Sequence, residues 1–263
     1  MNTIITERTG TVGPVARVWL NRPEVRNAFN DSVIAELTAT FTALGADDSV
    51  RAIVLGGHGK AFCAGADLNW MRAMADYSWD QNKADAQGLA DMLWAIYSCP
   101  KPVVGRIHGD CYAGGVGLAA VCDVVVASDN AGFCLSEAKL GLLPATIGPY
   151  VARALGARAS HRYFLTAERF SAAEAHRLGL VHEVCSAEAL DSQIDALTAA
   201  LVANGPAAVK ACKQLVHDVA HAAITPALRE DTARRIADIR GSAEGKEGVS
   251  SFLNKRAPNW ILG

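Results

Sequence analysis

The chain is predicted to adopt an α/β fold built on a mainly parallel sheet, and three observations carry that expectation. Short apolar runs alternate with amphipathic helical stretches through the first two-thirds of the sequence. From Gly148 onward the pattern turns helical. Two stretches of small residues lie where strands would hand over to helices, Ala61-Phe62-Cys63-Ala64-Gly65-Ala66-Asp67-Leu68 and Gly109-Asp110-Cys111-Tyr112-Ala113-Gly114-Gly115-Val116-Gly117-Leu118. Strand, crossover helix and strand in repetition place parallel strands under a cover of helices.

In chain order, residues 4–8 and 15–20 read as two strands joined by a turn at Thr9-Gly10-Thr11-Val12-Gly13-Pro14. Asp31 is the expected N-cap of a helix whose apolar face is Ile34, Leu37, Phe41 and Leu44. Residues 52–55 form a short buried strand closed by Gly56-Gly57. One long helix follows the first small-residue stretch, with Leu89, Met92, Leu93 and Ile96 on one face, and stops before Pro100 and Pro102. Strands are expected at 103–107 and 124–127, with a helix over 118–121 between them. Ser171-Ala172-Ala173-Glu174 has the form of a capping box, and helices are expected around 187–203, 206–221, 225–239 and 243–254.

Composition excludes several classes. The 263 residues are 51% hydrophobic and 20% charged, which suits a sizeable core. Net charge is −2 with no basic run, so nucleic acid is not an expected partner. The sequence holds no uninterrupted run of about 18 apolar residues, so no membrane span is expected, and the first residues lack the basic-then-apolar form of a signal peptide. Seven cysteines without CxxC spacing read as small buried hydrophobes in a reducing compartment, so a cytoplasmic location is expected. There is no GxSxG elbow and no HExxH. Gly115-Val116-Gly117-Leu118-Ala119-Ala120 imitates a dinucleotide fingerprint, but the expected strand ends near Ile107 and a polar segment intervenes.

Small residues at a helix mouth let a ligand approach unpaired main-chain N–H groups. Two such stretches aimed at one point would hold a developing oxyanion, as in forming an enolate from a thioester; taken singly, each also reads as a tight turn. Glu137 lies among apolar residues, which raises a carboxyl pKa toward the range useful for proton transfer, unless Lys139 or an arginine pairs with it. Among the histidines, His108 lies nearest a small-residue stretch, while His58, His176 and His182 read as surface or helix-end residues.

Taken together with Leu20-Asn21-Arg22-Pro23-Glu24-Val25-Arg26-Asn27-Ala28-Phe29, Cys122-Asp123, Ser136-Glu137, Thr166-Ala167-Glu168-Arg169-Phe170, Ala175-His176-Arg177-Leu178-Gly179-Leu180-Val181 and Phe252-Leu253-Asn254-Lys255-Arg256, these stretches resemble the enoyl-CoA hydratase/isomerase (crotonase) superfamily over nearly the whole chain. The resemblance implies a crotonase-like ββα spiral core over residues 1–195 and a C-terminal helical trimerisation region over 196–263, in a homotrimer or dimer of trimers. It implies oxyanion-hole N–H groups from Gly114 and from Ala66 or its neighbour Ala64, and Glu137 as acid and base. It places Arg26, Ala28, Ala64, Asp67, Leu68, Phe252 and Lys255 along the CoA portion of an acyl-CoA thioester, the last two often reaching the CoA of a neighbouring subunit. No metal or redox cofactor is implied.

One position departs from the pattern. The better-known hydratases carry a second glutamate where this chain has Gly117. An isomerase needs a single proton shuttle, so the loss is compatible with double-bond migration, or with a homologue that binds acyl-CoA without turnover. Ala66-Asp67-Leu68-Asn69-Trp70-Met71 and Lys255-Arg256-Ala257-Pro258-Asn259-Trp260 resemble a bacterial branch that hydrates 3-methylglutaconyl-CoA in leucine breakdown, whose members can lack that glutamate. The expected reaction is therefore hydration of a 2-enoyl-CoA whose own second carboxylate helps to position water.

Overall fold

An antiparallel hairpin opens the chain, β1 (Ile4–Thr9) against β2 (Val15–Leu20). The computed structural model describes residues 3–10 and 13–262. Met1 and Asn2 of the leading segment, and Thr11 and Val12 of the expected turn, lie outside the described residues. Next come α1 (Asp31–Ala46), β3 (Ala52–Gly57), β4 (Ala61–Cys63), α2 (Leu68–Met74) and α3 (Trp79–Tyr97). They are followed by β5 (Val103–Ile107), β6 (Asp110–Tyr112), α4 (Gly114–Ala120), β7 (Val124–Ser128) and β8 (Gly132–Cys134). A 3-10 turn (Glu137–Leu140) leads to α5 (Gly148–Thr166), β9 (Arg169–Ser171), α6 (Ala172–Leu178), β10 (Glu183–Cys185) and α7 (Leu190–Ala203). The end is helical: α8 (Pro206–Val219), α9 (Pro226–Gly241), α10 (Ala243–Leu253) and α11 (Asn259–Leu262).

The strands form two sheets, β1-β2-β3-β5-β7-β10 and β4-β6-β8-β9. After the hairpin, the larger sheet is parallel throughout. Three consecutive units repeat one pattern: a strand in the large sheet, a short strand in the small sheet, then helix. This is the ββα spiral expected from the resemblance. All of β3 is buried, as a parallel strand covered on both faces requires. Ile53 and Leu55 face the core shared with Leu37 and Phe41 of α1 and Met92, Leu93 and Ile96 of α3. Ala52 and Val54 face the opposite side, where Leu190 and Ile194 of α7 close a second apolar cluster. The period-2 alternation of strand side chains thus feeds two cores from one strand.

Several elements differ from expectation. The N-cap of α1 is Asn30, whose side chain accepts from the Val33 N–H at 3.0 Å, and Asp31 is the first helical residue. β3 runs on through Gly56 and Gly57, which pair with Trp19 and Leu20 of β2, and the Trp19 ring lies over Gly56 where a Cβ would collide. The single long helix is two, since Ser78 and Gln81 build a reciprocal capping box that restarts the chain as α3. Ser171 caps α6 by accepting from the Glu174 N–H, but the Glu174 carboxylate turns to Arg177 and Tyr163 rather than closing a box. α4 begins at Gly114, not Leu118.

The α1 cap can be tested directly. Asn30→Ala is expected to cost about 1 kcal/mol of stability in denaturant unfolding, because a side-chain acceptor at the N-cap is lost. Asp31→Ala should cost only a few tenths of that amount, through the helix dipole.

Candidate active site

The site begins with three-residue strands. β4, β6 and β8 pair in parallel, so the segments leaving them emerge at one edge of the small sheet. Those segments are 64–67, 113–114 and 135–137. The middle segment meets both neighbours: the Ala113 N–H donates to the carbonyl of Cys134, the last residue of β8, at 2.7 Å, and a Cβ built on Gly65 would lie 3.0 Å from that of Ala113.

A fourth segment decides which backbone donors stay free. Residues 26–29 run alongside 64–67, with Ala64 N–H donating to Arg26 O (3.0 Å), Phe29 N–H to Gly65 O (2.7 Å) and Asp67 N–H to Phe29 O (2.7 Å). Ala64 therefore has no N–H to offer a ligand. The alternation leaves the Ala66 N–H without a hydrogen bond among the described residues. Across from it, Ala113 sits at φ 47°, ψ −118°, a conformation costly for a residue with a Cβ. That bend starts α4 at Gly114, whose N–H has no intrahelical partner, while the Val116 and Gly117 N–H groups return to the Ala113 carbonyl. Gly114 packs on the Phe29 ring; a Cβ there would lie 2.9 Å from Phe29 Cδ2.

Asp67 holds this arrangement rigid. It is 6% exposed. One carboxylate oxygen accepts from the Asn69 and Trp70 N–H groups, and the other pairs with Arg22 at 2.8 Å. Burial alone would raise its pKa, but Arg22 and the two N–H groups outweigh burial and hold it below the usual carboxylate range. Arg22 also donates to the Ala28 carbonyl, and buried Asn27 bridges to the carbonyls of His58 and Ala61. Both oxygens of Asp67 are committed to the protein, so it shapes the cleft rather than offering a free charge.

Glu137 opens the 3-10 turn after β8. Its Oε2 is buried with no hydrogen-bond partner, and neither Lys139 nor an arginine forms an ion pair with it among the described residues. Burial pushes its pKa up, and its own N–H offsets this only partly. A carboxyl group raised in this way holds its proton to higher pH than an ordinary glutamate, which suits general acid–base catalysis.

A cleft of about 460 Å³ opens beside the Ala66 segment, lined by Arg26, Ala28, Ala64, Ala66, Asp67 and Leu68 among others. Six residues singled out from the sequence thus meet at one surface. Asn69 and Arg72 line it too and were not anticipated; Arg72 follows Leu68 by four residues, which puts both on one face of α2. Arg26 points a largely exposed guanidinium toward Asp110 at 3.7 Å. Phe252 and Lys255 do not line this cleft. Phe252 is 81% exposed at the end of α10, and Lys255 lies in the turn that follows it. His108 is tied to the Gly59 carbonyl at 3.0 Å instead of serving the site. The Asp110-Cys111-Tyr112 segment, expected to be an irregular polar spacer, is strand β6. The glycines of that segment serve close packing, with the Cys63 carbonyl over Gly115 and Ile147 over Gly117.

Free main-chain N–H groups and a desolvated carboxyl group thus stand on segments that leave one sheet edge, though neither Gly114 nor Glu137 lines the cleft beside Ala66. The Enoyl-CoA hydratase/isomerase family profile matches residues 10–261. A 2,3-dehydroadipyl-CoA hydratase from Escherichia coli is 32% identical over 249 residues, covering 94% of either chain. Among solved structures, an enoyl-CoA hydratase from Shewanella pealeana superposes with a TM-score of 0.94 at 38% identity, covering 98% of this chain and 96% of the other. Pseudomonas aeruginosa AtuE superposes with a TM-score of 0.93 at 37% identity, covering 98% and 99%. The chain belongs to the enoyl-CoA hydratase/isomerase family, a family of enzymes, and has the crotonase fold.

Two outcomes are expected. Asp67→Ala should cost about 3 kcal/mol in denaturant unfolding, the low end for stranding one partner of a buried ion pair, here Arg22. Glu137→Gln should raise Tm at neutral pH, because it removes an ionised group that the fold desolvates without compensation. As the pKa is raised in the folded state, protonation favours folding, and the Tm advantage of the variant should shrink as pH falls through that raised pKa.

Proposed function

We propose that this enzyme adds water reversibly to a 2-enoyl-CoA whose acyl group carries a second carboxylate, of the 3-methylglutaconyl type. The observation that carries the reading is the unpaired, desolvated Glu137 carboxyl group at the same sheet edge as the free N–H groups of Ala66 and Gly114. The thioester oxygen would accept from both N–H groups. Glu137 takes a proton from water as the oxygen bonds to C3, and the C2=C3 electron pair moves through C2 to leave an enolate on the thioester oxygen. The protonated Glu137 then delivers its proton to C2, the carbonyl re-forms, and the carboxylate is restored. Each donor aimed at the oxyanion contributes roughly 3–4 kcal/mol to lowering the barrier. This chemistry calls for no metal or redox cofactor. The relative named for 2,3-dehydroadipyl-CoA supports a dicarboxylic acyl group.

In the same reading, the cleft at Arg26, Ala28, Ala64, Asp67 and Leu68 takes the CoA portion. Phe252 and Lys255 reach the CoA of a neighbouring subunit in a homotrimer or dimer of trimers. Supporting this, no residue of α8 or α9 is buried within the single chain. A cytoplasmic location fits five buried, unpaired cysteines. No helix among the described residues is long and apolar enough to cross a membrane.

A panel of enoyl-CoA thioesters followed by absorbance of the conjugated thioester tests the reaction, with glutaconyl types expected to turn over fastest. Glu137→Gln should lose at least ~100-fold in kcat. The rate should fall on the acid side, through a pKa above that of an ordinary glutamate. Conversion of a 3-enoyl-CoA into the conjugated isomer without hydration would instead make it an isomerase. Arg26→Ala and Lys255→Ala should raise KM with kcat nearly unchanged, as loss of uniform binding does.

A further inference from the structure

Gly117 lies one turn along α4 from Gly114, on the same helix face. A helical side chain leans back over the turn N-terminal to it. Any side chain at 117 would therefore lean toward the helix mouth where the Gly114 N–H is free. That volume is occupied. A Cβ on Gly117 would lie 2.8 Å from Ile147 Cβ, closer still to Ile147 Cγ2, and 3.7 Å from Leu93 Cδ2. Ile147 is 2% exposed and cannot swing into solvent. Its backbone is also fixed, because its carbonyl accepts from the Tyr150 and Val151 N–H groups at the start of α5.

We infer that Ile147 is a specificity-determining residue: its buried side chain fills the place that a second carboxyl group on α4 would need, so that Glu137 has no second acid from that helix. The inference rests on the reading of the site as an enoyl-CoA hydratase. Ile147 reaches α4 from the loop that follows Glu137, so one connection carries both the single acid of the site and the group that excludes another. With that volume filled, α4 supplies no carboxylate to hold the attacking water. A simple alkyl enoyl-CoA brings none either, so its water is held by Glu137 alone. An acyl group with its own carboxylate supplies the missing acceptor, and the filled volume beside Gly117 thereby selects for such substrates. The glycine alone does not account for the selectivity, since adding a glutamate without making room displaces Ile147 into a packed core.

A packing test needs no substrate. Gly117→Ala should lower Tm by several degrees in the native background and cost nothing in an Ile147→Ala background, where the methyl group has room. If Gly117→Ala does not fold, recovery of folded protein in the double variant is the same support. An unchanged Tm for Gly117→Ala, an equal cost in both backgrounds, or no recovery would overturn the inference. The catalytic arm compares Gly117→Glu in the Ile147→Ala background with Ile147→Ala alone on crotonyl-CoA. A gain of about 10-fold or more, together with a second ionisation in the pH–rate profile, is expected of a newly seated acid. A folded double variant with no gain would also overturn it. A native enzyme inactive on every enoyl-CoA would defeat the proposed function while the thermal comparison still judged the packing.

Discussion

Parallel pairing of β4 with β6 and of β6 with β8 is the constraint on which the site depends. Parallel neighbours end at the same edge, so the segments that follow them must converge, whatever their sequence. Each strand has only three residues and contributes little stability by itself. They are held because each continues from a strand of the large sheet whose apolar residues are buried, Val124 alone being partly exposed. The large sheet supplies the stability, and the small sheet places the chemistry.

Within that edge, the charged groups divide into two kinds. Asp67 and Arg22 are buried and satisfied, and they clamp residues 22–29 against 64–67. Glu137 is largely buried and unsatisfied at Oε2, so it weakens the fold in proportion to its readiness to take a proton. Ala113 adds a second local cost through its positive φ. Both costs fall where a ligand would meet the protein, and the clamp and the core around Phe29, Phe62 and Phe133 sustain them.

Long, periodic elements were legible from the sequence. The apolar face of α1, the strands at Val15–Leu20 and Val103–Ile107 and the helices α7 to α10 all announce themselves through spacing, while the short α11 does not. The small sheet does not, because three residues cannot display a period of two, and β6 reads as a polar spacer. The break between α2 and α3 carries no glycine or proline and depends on the Ser78–Gln81 exchange of hydrogen bonds. Of the candidate site, the small-residue stretches and Glu137 stood out by composition. That Ala64 is unavailable and Ala66 free could not be read, since it follows from the pairing with residues 26–29, far away in sequence. The fit of Ile147 over Gly117 was hidden for the same reason.

The free donors at Ala66 and Gly114 belong to the main chain, and this shapes how such a protein can diverge. Every residue but proline carries an N–H, so drift in side-chain identity does not erase these groups. Their direction depends on strand pairing and on the bend at Ala113, features that many different side chains can sustain. Volume is what limits change: Gly114 faces the Phe29 ring, where even a methyl group intrudes. At Gly114 the size of a replacement therefore matters more than its chemical type, whereas the aim of the donors still depends on the Asp67–Arg22 clamp.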